Sequence, residues 1–109
     1  MRSAMTPAAA GLLRSLLSRA GIHRDRILLT GYHSTDWQSL TYIGERHQFG
    51  LRLPVRDAAA IKACLLDRIE DVEWAIAGHI VADIGLESPP RVDGDGTVLL
   101  TIEALTIVE

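Results

Sequence analysis

The chain has 109 residues, 48% of them hydrophobic and 23% charged, with a formal net charge of −3. That length and balance fit a single domain, residues 1–109, with one core, and argue against a disordered, collagen-like, coiled-coil or membrane-spanning chain. The lone cysteine, Cys64, excludes an intrachain disulfide and a multi-cysteine zinc site.

The first stretch, Met1 to Ala20, is apolar but broken by Arg14 and Arg19. It reads as an amphipathic helix rather than the uninterrupted apolar run of a secretory signal. With the free thiol, it gives a cytoplasmic expectation. Thr6 as cap and Pro7 at the first helical position open this helix, and Gly21 supplies the stop. Its predicted span is 7–20.

Arg26 to Leu53 reads as a three-stranded meander with strands 27–33, 37–43 and 46–53. Ser34-Thr35 would make one turn and Gly44-Glu45 the next. That register pairs Tyr42 with His47 and Leu40 with Phe49. It gathers Ile27, Leu29, Leu40, Tyr42, Phe49 and Leu51 on an apolar face. Tyr32, Trp37, Arg46, Gln48 and Arg52 fall on the opposite face. Asp57 would cap a second helix over 57–70, with Cys64 as a small buried apolar residue. Val72 to Ile84 alternates with period two and predicts a long strand. Gly85 to Gly96 is rich in Gly and Pro and predicts a loop. Thr97 to Val108 predicts the last strand, apolar on both faces.

The expected fold is therefore α+β in two layers: an antiparallel five-stranded sheet with two helices on one face, in the order α-β-β-β-α-β-β. The first 70 residues follow the order of a double-stranded RNA-binding domain. The full order resembles that of the small, acidic, dimeric chaperones of type III secretion. Where an RNA-binding domain carries lysines that clamp phosphates, this chain reads Asp57 to Lys62 with one Lys. Neither likeness rests on a motif, and no residue role is carried over.

No residue set meets the requirements of a catalytic centre. His79 and Asp83 would share a strand face about 13 Å apart, at ~3.3 Å per residue, too far to hold one ion. No metal and no cofactor is expected. His33, Ser34 and Asp36 have the residue types of a hydrolase triad, but three residues within one turn cannot form the required line. Asp93-Gly94-Asp95-Gly96 reads as a turn.

The sheet face away from the helices carries a mixed apolar and charged set: Tyr32, Trp37, Arg46, Gln48, Arg52, His79, Asp83 and Glu103. Such a face points to an interface. The sequence thus predicts a non-catalytic binding or interaction module, chaperone- or adaptor-like, acting as a homodimer or higher oligomer with a possible protein partner and no membrane. The dimer would form through this face or through the edge of the last strands. One alternative is a small ligand-binding protein or enzyme with a polar pocket at the 44–47 hairpin tip, using Glu45, Arg46, His33 or His47. Another is nucleic-acid binding through the Arg-bearing face. Residues 1–56 hold eight Arg against three acids, and residues 57–109 hold eleven acids against three bases. The strand faces then predict Arg46 and Arg52 near Asp83 or Glu103.

Overall fold

The computed structural model describes residues 5–109, so Arg2 and the start of the N-terminal apolar stretch lie outside the described residues. Helix α1 spans Pro7–Ser18. Thr6 caps it as expected, its hydroxyl accepting from the Ala9 amide at 3.2 Å. A 3-10 turn, Gly21–Arg26, leads into β1, Leu28–Gln38, and then β2, Ile43–Leu53. Helix α2 spans Ala58–Leu66, and a second 3-10 turn covers Ile69–Asp71. Strands β3, His79–Leu86, β4, Arg91–Val92, and β5, Val98–Val108, complete the chain.

The sheet is antiparallel, in the order β1-β2-β5-β3, with β4 paired to β5 beside β3. This is the five-stranded, two-layer α+β architecture expected. Two strands rather than three precede α2, because the three-stranded meander is in fact one long hairpin. The core is a single layer between helices and sheet. Leu12 and Leu16 of α1 and Ile61 and Leu65 of α2 close over Phe49, Leu51 and Leu53 of β2 and Leu100 and Ile102 of β5. Each of these aliphatic or aromatic side chains contributes about 1.5–3 kcal/mol by leaving water.

The hairpin turn lies at Ser39–Tyr42, not at Gly44-Glu45. The Ser39 amide donates to the Tyr42 carbonyl at 2.8 Å, and the Ser39 hydroxyl accepts from the Tyr42 amide at 3.1 Å. Ile43 therefore pairs with Gln38, and the expected pairs Tyr42–His47 and Leu40–Phe49 do not form. Gly44 has a different purpose. A Cβ there would sit 1.9 Å from the Thr106 carbonyl oxygen, so only glycine lets β2 approach β5 this closely. Ser34-Thr35 is not a turn either. Both residues continue β1, facing His47 and Arg46.

The stretch 72–84 is not one strand. The chain reverses at Ala77-Gly78, where Gly78 takes φ +76°, and only His79 onward joins the sheet. Helix α2 ends at Leu66 rather than residue 70: Asp67 leaves the helical region at ψ 113° and Arg68 then turns left-handed, φ 48°. Its buried stripe is Ala58, Ile61 and Leu65, which leaves Cys64 exposed rather than buried. Asp57 stands at the start of α2 but makes no side-chain cap; its carboxylate pairs with Arg26 at 2.9 Å. Of the predicted loop 85–96, Gly85 and Leu86 end β3 and Arg91–Val92 form the short β4, and the remaining residues are loop. Its Asp93–Thr97 turn is closed by Asp95, which accepts from both the amide and the hydroxyl of Thr97. Arg19 joins three segments: it donates to the Leu65 and Asp67 carbonyls and lies over the Trp74 ring, 5.9 Å from its centroid. No helix among the described residues is long and apolar enough to cross a membrane.

Candidate functional site

Two regions gather the side chains that sequence alone singled out. The first is the sheet face turned away from the helices. Register assigns it in rows across β1, β2, β5 and β3. Trp37, Gly44, Ile107 and Ile80 form one row, followed by Thr35, Arg46, Leu105 and Asp83, then His33, Gln48, Glu103 and Gly85. Six of the eight expected residues lie here: Trp37, Arg46, Gln48, Arg52, Asp83 and Glu103. Tyr32 and His79 do not.

Tyr32 belongs to the helix side, where it stacks on Phe49 with centroids 5.8 Å apart. The cause is a β-bulge between Leu29 and Gly31, which inserts Thr30 and exchanges the two faces for the rest of β1. A second bulge between Val81 and Asp83 does the same in β3. His79 therefore shares the helix side with Val108, whereas Asp83 faces the open side opposite Leu105. Strict alternation along the sequence passes over both bulges, and no Gly or Pro marks the one in β3.

The charges on the open face are paired within the chain. Arg46 reaches Glu103 at 3.4 Å, and Gln48 donates to the second Glu103 oxygen at 3.3 Å. Arg52 takes Asp93 at 3.3 Å and Asp95 at 3.8 Å rather than Asp83 or Glu103. Hydrogen bonds from Thr97, with a smaller effect of Arg52, hold the Asp95 carboxyl below the usual carboxylate range. The two guanidiniums are thus committed to carboxylates. The apolar row at the end of the face is not covered: Ile80 is 52% exposed, and Trp37 and Ile107 are partly exposed.

The second region lies at the hairpin end of the sheet. A cavity of about 520 Å³ is lined by Asp36, Trp37, Gln38, Ile43, Gly44, Glu45, His79 and Val108. Asp36 and Glu45 are cross-strand partners, and Glu45 also accepts from the Thr6 hydroxyl at 2.9 Å. Of the residues proposed for a pocket here, only Glu45 lines it. His33 and Arg46 lie on the opposite sheet face, and His47 is wholly buried.

His47 is fully buried, as is its polar partner Thr106. Its Nδ1 is 2.6 Å from the Ser34 hydroxyl and its Nε2 is 2.8 Å from the Thr106 hydroxyl. One ring nitrogen donates and the other accepts, so the neutral imidazole is satisfied. Burial pushes its pKa below the ordinary value, with Glu45 opposing and His79 assisting. A serine beside a histidine is the start of a nucleophile–base pair. Here the far nitrogen meets a hydroxyl instead of a carboxylate, and the ring does not reach the cavity. The arrangement is that of a structural hydrogen-bond chain crossing β1, β2 and β5. No group of three His, Cys, Asp or Glu that could hold a metal occurs among the described residues.

No family model, curated protein or solved structure matches the chain.

Proposed function

We propose that the chain is a non-catalytic interaction module, chaperone- or adaptor-like, that acts as a homodimer and uses its uncovered sheet face as a contact surface. The observation that carries this reading is the row Trp37, Ile107 and Ile80, apolar and open to water on a face with no helix over it. Contiguous exposed apolar patches mark contact surfaces, unlike apolar residues scattered singly. The paired state of Arg46 and Arg52 supports a protein contact over phosphate, since binding phosphate would require breaking pairs already made. Trp37 stands on β1, at the margin of the face. Sedimentation of the Trp37→Ala chain tests the assignment. The expected result is a dimer dissociating at a concentration roughly tenfold higher, about 1.4 kcal/mol of lost association. Unchanged association would contradict it.

A second reading is favoured by the cavity at the hairpin end, whose Asp36 and Glu45 carboxylates face a space large enough for a small ligand. Its chemistry suits a cationic amine. Titration with spermidine, followed by calorimetry, is expected to saturate; a flat response discards this reading.

A further inference from the structure

The two sides of the sheet end differently. Beyond β3, the segment 69–76 runs back along the strand. Glu70 shares a cleft with Asp83 to Leu86, and Val72 to Ile76 forms a groove of about 690 Å³ with His79 to Val81. Ile76 bridges to His79. The segment 69–76 thus lies beside β3, joined to it by backbone only at Ile76 and His79. On the other side β1 pairs with β2 alone, and no described segment pairs with its outer edge. From Gly31 to Gln38 it pairs with β2 one for one, without a bulge. Between Leu28 and Gln38 there is no Lys, Arg or Pro, and Asp36 is the only carboxylate. A long, regular edge without such devices is a template for another strand.

We infer that the outer edge of β1 pairs antiparallel with β1 of a second copy, about a two-fold axis, so that two sheets continue as one. This rests on the homodimer reading above and places the contact between copies at the β1 edge, with Trp37 beside it, so that the joined open faces stay available to a protein partner. Three features select a second copy. An isologous contact uses the same β1 edge of both chains, so assembly through it closes at two chains rather than growing into a filament. A two-fold axis normal to the sheet and centred on Ser34 sets Tyr32 opposite Asp36, His33 opposite Thr35, and Gly31 opposite Trp37. No like charges meet, and the indole lies across from a glycine, an arrangement that shields a bare strand. The antiparallel direction also brings the hairpin tip of each copy to the Leu28 end of the other. Leu40 at the tip is fully exposed, and Leu28 and Leu29 are 62% and 40% exposed. The two apolar ends of the edge are thus complementary to each other, twice over.

In such a dimer both helical layers lie on one side and both open faces on the other. Trp37 borders the shared seam, consistent with its role on the open face.

Hydrogen exchange of the full chain, read by mass spectrometry over a concentration series, tests this, with solution mass measured on the same samples. As the dimer fills, the alternate outward amides between Gly31 and Gln38 are expected to slow by about tenfold or more, while those of β5 do not change. A dimer whose β1 amides exchange at the dilute rate overturns the edge pairing and leaves the homodimer reading standing. A monomer at every concentration overturns both.

Discussion

His47 sits at the centre of an apolar layer, wholly buried, with a hydroxyl at each ring nitrogen. Its depressed pKa has a consequence with a definite sign. The unfolded chain takes up a proton near the ordinary value of about 6.5, before the folded chain does. Stability from this group is therefore complete above about pH 6.5 and declines as pH falls from there toward the lower folded value. The charged groups around the ring are Glu45 on its own strand and His79 from β3, with Ser34 and Thr106 as neutral partners. Denaturant melts between about pH 7.5 and 5.5 should show this decline, and the His47→Gln chain should show less of it. An equal slope in both would discard the explanation. Gly44 supplies a second prediction at this scale. Its missing side chain makes room for the Thr106 carbonyl, so Gly44→Ala must push β2 from β5. A loss of roughly 1–3 kcal/mol is expected by chemical denaturation, the usual range for overpacking; an unchanged midpoint would contradict the close approach.

Among the elements, α1 and β5 were the most legible in the sequence. Thr6-Pro7 is a cap with a mechanism, and the Thr97–Val108 run is rich in Val, Leu, Ile and Thr. Thr6→Ala should lower stability by about 1 kcal/mol through the lost cap, with a further effect from the lost Glu45 hydrogen bond. A thermal shift below measurement would contradict it. The β1–β2 hairpin was legible as extended chain but not in its turn. Gly44 carries the strongest local turn signal, yet that glycine serves a strand contact 62 residues away in sequence, at Thr106. No local pattern reports such a contact. The bulges at Thr30 and Ala82 are equally silent, and each reverses the faces beyond it. Alternation counted from Leu29 therefore puts Tyr32 on the wrong side, and alternation counted from Asp83 does the same for His79, whereas Arg46 and Glu103 stand on strands that pair with each other without a bulge. The Val72–Ile84 alternation was real in composition, but Gly78 turns the chain before a strand of that length can form.

For the whole molecule, the division between a basic first half and an acidic second half becomes a set of contacts. Arg46 with Glu103 and Arg52 with Asp93 join the two halves across the open face. Both pairs are about two-fifths exposed or less, so a double-mutant cycle on Arg46 and Glu103 should give a coupling of at most about 1 kcal/mol. A much larger coupling would mean that the face is covered more fully than one chain covers it. What the ion pairs leave uncovered is the apolar row at Trp37, Ile80 and Ile107, together with the β1 edge beside it. The central claim is that a second copy pairs with the β1 edge, which joins the two open faces into one surface and leaves Ile80 and Ile107 on it for a further partner. Light scattering across a concentration series tests it most directly. The predicted result is a mass twice that of the 11.9 kDa chain at high concentration, falling to the monomer on dilution. A mass of one chain throughout the series would contradict the account.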